Sequence, residues 1–329
     1  IVSDQGYYDA LLKWCKDRYD WTFEKEELVF SPGVIPALYQ LVEDLVAKDE
    51  KVLTMTPAYG FFLHACEYNG VELVKSPLKK SEGRFEIDFE DFAQKAADPK
   101  VRLLMLCNPH NPSGRIWTRQ ELEKIADIAA KNDLWIVSDE IHCDLIRTGL
   151  SHIPMGKIMP EYKKLITTIS ASKTFNLAGM LFSNIIIRDE EERNRFQDRD
   201  KNIGAANPLS VAAHKAAYEH GGRWLSELKE YIDESFRMVD SFLKENIPQA
   251  RFTVPEATYF AWVDMSRVLP DVEDLPLFFA NNSGVLLEGG DGLFVDNAKG
   301  YIRLNLAMPR ATIEEGLRRM AEAIEKHNR

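Results

Sequence analysis

The chain has 329 residues, 45% hydrophobic and 28% charged, a composition typical of a globular protein with room for about two domains. Its formal net charge is −11, and its 41 lysines and arginines are scattered along the sequence, which argues against nucleic acid as a main partner. No apolar run approaches the ~20 residues that a membrane-spanning helix needs, so no membrane partner is expected.

The four cysteines form no Cys-x-x-Cys pair, so the sequence predicts no metal site and no redox pair. Buried free thiols are expected instead, and these are typical of the reducing cytoplasm. The first five residues have neither the basic start nor the apolar stretch of a signal peptide. We therefore expect a cytoplasmic protein.

Strands and helices alternate through the first two thirds of the chain. Short apolar runs predict strands at 27–31, 51–55, 71–75, 101–107, 134–138, 165–170 and 183–187. Helices are predicted from the apolar spacing that begins at Ile35 and from a capping box formed by Thr118 and Glu121. Continuous apolar strands alternating with helices indicate an α/β fold whose central sheet is mainly parallel and covered on both faces.

The pattern changes after residue 222. A long amphipathic helix to about residue 246 is followed by strands at 259–264, 285–287 and 301–306, a short helix over 275–281 and a final helix from Thr312. This pattern indicates a smaller α+β unit. We therefore predict a large domain over residues 1–222 and a small C-terminal domain over residues 223–329.

Polar and small residues follow the carboxyl ends of the predicted strands, where open parallel sheets bind ligands. They are Gly33, Tyr59, Asn111, Asp139, His142, Ser170, Ser172 and Lys173. Asp139 follows a buried strand, and its carboxylate needs either a cationic partner or a role as a helix cap. Lys173 could attack a carbonyl group, although an isolated lysine after a strand is most often a surface residue.

The turn at Gly33 leads directly from a predicted strand into a helix. The free N–H groups of Val34 and Ile35 at such a helix start suit a phosphate group. A single glycine there is also common in turns without any ligand.

Four motifs occur in a characteristic order, namely Asn108-Pro109-His110-Asn111-Pro112-Ser113-Gly114, Ser138-Asp139-Glu140, Ser170-Ala171-Ser172-Lys173 and Tyr301-Ile302-Arg303-Leu304-Asn305. Together they resemble fold-type I pyridoxal 5′-phosphate (PLP) enzymes of the class I/II aminotransferase family, over nearly the whole chain. Residues 31–38, 139–142 and 172–179 are most similar to the cystathionine β-lyases, the C–S lyases of the MalY/PatB type. The resemblance implies a PLP-dependent transferase-like large domain and a smaller C-terminal domain.

The resemblance also implies a role for each candidate residue. Lys173 would hold PLP covalently and later move the α-proton, Asp139 would pair with the pyridine nitrogen, and Arg303 would bind the substrate α-carboxylate. Tyr59 would stack on the ring and act in catalysis, and Asn111 would donate to the phenolic oxygen and lie near the substrate. The other implied cofactor contacts, mainly at the phosphate, are Gly33, Val34, Ile35, His142, Ser170 and Ser172.

Three departures from the family pattern are visible. His142 stands where most aminotransferases of the family carry tyrosine, although the lyase group shares the histidine. Leu181 stands where many members carry a phosphate-binding arginine, and the N-terminal arm of the family is absent from this sequence. Members of this fold usually form homodimers, so a homodimer is expected.

Three functions agree with the fold. The first is a C–S β-lyase that cleaves L-cystathionine or related cysteine S-conjugates, and the second is an aminotransferase. The third, a non-catalytic regulator, predicts loss of Lys173, Asp139 or Arg303, all of which are present. We therefore predict a β-lyase that acts on a small amino acid, with an aminotransferase as the alternative.

Overall fold

The computed structural model describes residues 4–81, 83–200 and 206–329. Its helices are α1 (Gln5–Tyr19), α2 (Val34–Leu45), α3 (Gly60–Asn69), α4 (Phe89–Ala96), α5 (Arg119–Lys131), α6 (Met155–Ile158), α7 (Ala171–Thr174), α8 (Glu190–Asp200), α9 (Pro208–His220), α10 (Gly222–Asn246), α11 (Leu275–Ser283) and α12 (Arg310–His327). Its strands are β1 (Leu28–Ser31), β2 (Lys51–Thr56), β3 (Ala58–Tyr59), β4 (Glu72–Pro77), β5 (Lys79–Ser81), β6 (Arg84–Glu86), β7 (Val101–Cys107), β8 (Trp135–Asp139), β9 (Leu165–Ile169), β10 (Ser183–Ile187), β11 (Phe260–Asp264), β12 (Glu288–Gly289), β13 (Phe294–Val295) and β14 (Tyr301–Asn305).

The central sheet has seven strands in the order β1-β10-β9-β8-β7-β2-β4. Strands β4, β2, β7, β8 and β9 pair in parallel, whereas β10 runs antiparallel to both of its neighbours. The sheet is therefore mainly parallel, as predicted. Its register places Asp139, the last residue of β8, between Cys107 of β7 and Thr168 of β9.

Both faces of this sheet are covered by helices. Along β7, Leu103 and Met105 belong to a core cluster with residues of α2 and α3, whereas Leu104 and Leu106 belong to a second cluster with residues of α4 and α5. This division follows from the alternation of side chains along a strand. Helix α5 begins with the predicted capping box, in which Thr118 and Glu121 bond to each other's backbone N–H groups.

The C-terminal third forms a separate core. A three-stranded sheet in the order β11-β14-β12 packs with α10, α11 and α12 around one cluster of buried apolar residues. The short strand β13 instead pairs with β3, which sets Phe294 opposite Tyr59. Two segments that lie far apart in the sequence thus pair with each other.

The prediction of a strand over residues 285–287 was wrong. The strand lies at Glu288–Gly289, and the preceding Leu286 is 88% exposed. Apolar residues suggested a buried strand, but pairing with β14 begins only where Glu288 stands opposite Arg303.

Helix α1 was missed by the sequence analysis. Its buried residues Tyr7, Leu11, Trp14 and Cys15 follow helical spacing, and the side chain of Asp4 caps its first turn. These signals were present in the sequence but lie before the first predicted strand. The helix packs in a core cluster with residues of α9, α10 and β10.

Two general features concern the described part of the chain. No helix in it combines the length and apolar character required to cross a membrane. Within the same residues, no group of three or more His, Cys, Asp or Glu side chains is arranged to hold a metal ion. The cysteines Cys15, Cys66, Cys107 and Cys143 are free and buried, as expected.

Candidate active site

A cavity of about 270 Å³ lies at the carboxyl ends of the parallel strands. It is lined by every predicted site residue except Ser170, namely Gly33, Val34, Ile35, Tyr59, Asn111, Asp139, His142, Ser172, Lys173 and Arg303. These residues come from six separate parts of the sequence. The structure therefore brings the predicted residues together as the strand-end argument required.

Asp139 supplies a buried carboxylate at the floor of the site. Its Oδ1 accepts hydrogen bonds from the N–H of Ile141 and from the hydroxyl of Thr168, both at 3.2 Å. Burial raises the pKa of Asp139 to about 6, and the charge of Glu140 adds to this. The two hydrogen bonds and the positive charge of Lys173 oppose the rise. The carboxylate is thus costly to ionise until a cation lies beside it.

Lys173 lies in the short helix α7, which begins directly after β9. The hydroxyl of Ser170 caps this helix by accepting from the Ser172 N–H at 3.0 Å, and it donates to the Phe182 carbonyl at 2.8 Å. Ser170 is buried and is not among the residues that line the cavity. It therefore supports the segment that carries Lys173, and its contact with the cofactor stays a prediction.

A second buried carboxylate fixes the far side of α7. Asp144 accepts hydrogen bonds from the hydroxyl of Thr174 at 2.9 Å and from the indole N–H of Trp14 at 3.0 Å. The hydroxyl of Tyr19 also donates to it. Since Thr174 follows Lys173, helix α1 is connected to the lysine segment through a single carboxylate.

Arg303 lies on β14 and is buried at the opposite wall. Its guanidinium donates to the side-chain oxygen of Asn111 at 3.1 Å and forms an ion pair with Glu288. It also lies over the ring of Phe260, at 3.8 Å from the centroid, and 5.0 Å from that of Phe294. Stacking and hydrogen bonding together hold its planar group in one orientation.

His142 is a buried, neutral side chain. Burial lowers its pKa to about 3, and the positive charges of Lys173 and Arg303 lower it further. Its ring lies edge-on to Tyr259 and Phe260, and its Nδ1 has no hydrogen-bond partner. This histidine therefore offers a neutral polar atom to a ligand and no positive charge.

The start of α2 forms another part of the wall. No side chain caps this helix, so the N–H groups of Val34 and Ile35 in its first turn are available to an anion. Pro36 follows and has no N–H group. Leu181 lines the same cavity and is 67% exposed. Its side chain is apolar, so it brings no charge to the place where the family pattern suggested an arginine.

Four residues at the site had not been singled out. Cys107 and Phe260 line the cavity, Thr168 bonds to Asp139, and Glu288 pairs with Arg303. Cys107 ends one predicted strand and Thr168 lies in another, and both strands neighbour that of Asp139. The order of the strands would therefore have indicated both residues. Glu288 had no signal, because its position depends on the register between β12 and β14.

Comparison with known proteins identifies close relatives. The family model described as aminotransferase class I and II matches residues 5–320. Cystathionine β-lyase PatB of Bacillus subtilis is 36% identical over 98% of this chain and 84% of its own length, and protein MalY of Escherichia coli is 27% identical over 98% and 83%. The PLP-bound C–S lyase from Staphylococcus hominis superposes with a TM-score of 0.95 and 44% identity, over 98% of this chain and 83% of that one. The resemblance and the fold type predicted from the motifs are confirmed.

Proposed function

The chain belongs to the class I and II aminotransferase family. We propose that, within this family, it is a PLP-dependent C–S β-lyase. It would cleave L-cystathionine or related cysteine S-conjugates to a thiol, pyruvate and ammonia. The observation that carries the proposal is that Lys173, Asp139 and Arg303 line one cavity. The names of the relatives, cystathionine β-lyase and C–S lyase, support this reaction type.

The residues of the cavity fit PLP. Asp139 is a buried carboxylate with a raised pKa, which suits a protonated pyridine nitrogen as its partner. The uncapped start of α2 suits the phosphate group, through the N–H groups of Val34 and Ile35. When bound, PLP supplies an electron sink for the charge that develops at the α-carbon of the amino acid.

The protein would contribute binding, orientation and proton transfer. Lys173 would bind the cofactor through its amine and move the α-proton, and Arg303 would hold the substrate carboxylate bidentately. Tyr59 and Phe260 would form apolar walls that exclude water, and Asn111 would keep Arg303 in place through their hydrogen bond.

The charge of the cavity favours a lyase over an aminotransferase specific for dicarboxylates. Among the described residues that line it, the cationic side chains are Lys173 and Arg303. A dicarboxylate substrate needs a second cationic anchor for its side chain, whereas a β-substituent that leaves as a thiol needs none. The apolar side chains of Leu181 and Phe182 at the wall are compatible with a thioether substituent.

We also propose a large domain over residues 1–222, a small domain over residues 223–329, and a homodimer. Two exposed apolar side chains support a further protein contact, since Leu181 is 67% and Leu209 is 73% exposed. Light scattering of the holoenzyme should give twice the mass of one chain, and a monomer with full activity would contradict the dimer.

The test of the reaction uses L-cystathionine without any keto acid. The holoenzyme should release pyruvate and a free thiol in equal amounts, and a Lys173→Ala control should release neither. If turnover requires an added keto acid and produces a new amino acid stoichiometrically, the protein is an aminotransferase and the proposal is wrong.

A further inference from the structure

A cavity of about 840 Å³ lies apart from the candidate active site, and among the described residues the two have no lining residue in common. The hairpin of β5 and β6 and residues 113–115 form part of its wall, and α10, residues 248–256, β11 and β14 contribute the rest. Both proposed domains therefore line it, and we call it the interdomain cavity. Its volume is typical of sites that enclose small molecules, and such sites are common between domains.

Much of the wall of the interdomain cavity is apolar. The rings of Trp262 and Tyr301 stack with their centroids 4.8 Å apart, and the ring of Phe85 lies 6.3 Å from that of Tyr301. Phe252 and Val254 add further apolar surface to the lining, and Val254 is 38% exposed. The cavity thus suits a ligand with an apolar body.

The charge of one part of the wall is not balanced. The amine of Lys80 and Nη2 of Arg251 both contact Oδ2 of Asp264, each at 2.9 Å. The two cations line the cavity, whereas Asp264 is buried and is not among the lining residues. The other oxygen of Asp264, Oδ1, accepts from the N–H and the hydroxyl of Ser266. One carboxylate therefore faces two cations, and a positive charge is left over at the cavity.

Each of the other three cations that line the cavity has a carboxylate of its own, in the pairs Arg84–Glu256, Arg115–Glu121 and Lys244–Asp240. The uncompensated charge therefore lies at Lys80 and Arg251, whose side chains are 32% and 46% exposed. Within the described part of the chain, Nε and Nη1 of Arg251 form no hydrogen bond or ion pair, since its side-chain contacts with Asp264 and Ser266 both use Nη2. Donors of this guanidinium are thus available to an anion.

We propose that the interdomain cavity is a second ligand site, which takes a monocarboxylate with an apolar body. The carboxylate pairs with Arg251 and Lys80, and the apolar body lies against Tyr301 and Phe252. A single uncompensated positive charge favours a singly charged anion over a phosphate dianion, and the planar guanidinium matches a carboxylate. This site is independent of the proposed reaction, because it shares none of the residues assigned to the cofactor or the substrate.

The experiment titrates 3-phenylpropionate into the holoenzyme by calorimetry, with 3-phenylpropanamide as a neutral ligand of the same shape. The acid should bind, and the amide should bind about ten-fold more weakly, as expected for loss of a charged hydrogen bond. Arg251→Gln should weaken binding of the acid by about the same factor, because the charge left over at the cavity is removed. Arg223→Gln, which replaces a 91% exposed arginine that does not line the cavity, is the matched control and should bind the acid as the wild type does.

Arg303→Lys separates this site from the candidate active site, which also contains cations. The acid should bind to this variant as it does to the wild type. Binding that is lost in Arg303→Lys and kept in Arg251→Gln would place the acid in the active site and overturn the inference. Absence of binding would also overturn it, and so would equal affinities for the acid and the amide, since the unbalanced charge would then attract no anion.

Discussion

The buried carboxylate of Asp139 should destabilise the enzyme when no cofactor is bound. Its hydrogen bonds from Ile141 and Thr168 both end on Oδ1. Among the described residues no cationic side chain forms an ion pair with it, although Lys173 acts on it through space. Replacement of Asp139 by asparagine keeps an oxygen for both donors and removes the charge. The apo form of Asp139→Asn should therefore be more stable than the wild-type apo form near neutral pH.

The size of this effect follows from the pKa of Asp139. Its ordinary value is 3.8, and burial raises the pKa to about 6 in the folded chain. At 1.36 kcal/mol per pH unit, the difference amounts to about 3 kcal/mol. Because the folded pKa is the higher one, the folded state binds the proton more tightly. Stability is therefore lost as pH rises from about 4 to about 6, and the full cost remains above pH 6.

Urea unfolding of the two apo proteins at pH 4 and at pH 7.5 tests this reasoning. The variant should be more stable by up to about 3 kcal/mol at pH 7.5, and the difference should nearly vanish at pH 4. Addition of PLP should reverse the order, because only the wild-type carboxylate can pair with the protonated pyridine nitrogen. A variant that is less stable than the wild type at both pH values would show that Asp139 is a structural hydrogen-bonding group and would refute the argument.

Three further substitutions test the remaining parts of the site. Lys173→Ala should abolish covalent labelling by PLP and borohydride, as measured by mass spectrometry. Labelling that persists would show that another lysine binds the cofactor. Arg303→Lys should raise KM for the amino acid about ten- to hundred-fold, because the bidentate grip is lost, and an unchanged KM would make Arg303 structural. Asp144→Asn should lower the free energy of unfolding by about 1–3 kcal/mol. The amide group of the asparagine would point an N–H at one of the three groups that donate to Asp144. If calorimetry gives an unchanged Tm for this variant, Asp144 does not connect α1 to Thr174.

The central sheet and the gathering of the site were predictable because both depend on local patterns. Apolar runs such as residues 101–107 can be satisfied only inside a sheet covered on both faces, and the structure has a strand over the same residues. Once the strands are parallel, their carboxyl ends share one edge. The side chains of Asn111, Asp139 and Lys173 then meet without any knowledge of the loops between them.

Features that depend on register or on distant packing were not predictable. The apolar sequence of β10 is compatible with either strand direction, so its antiparallel pairing could not be predicted. The hydroxyl of Ser170 caps α7 and also donates to the Phe182 carbonyl, and the second bond depends on the path of a segment twelve residues further along the chain. Glu288 reaches Arg303 only because β12 begins one residue after an apolar run that looked like the strand itself.

The charges of Asp139 and Arg303, on two walls of the cavity, differ in how far the protein itself already compensates them. Asp139 is a buried anion with a raised pKa and gains from any cation placed beside it. Arg303 is a buried cation whose charge Glu288 already balances, so a substrate carboxylate bound there would meet a charge that is already compensated. A cofactor cation beside Asp139 would thus relieve a desolvation cost, whereas a carboxylate beside Arg303 would relieve less, because Glu288 already does so. This asymmetry suits a cofactor that stays and a substrate that is released after each turnover.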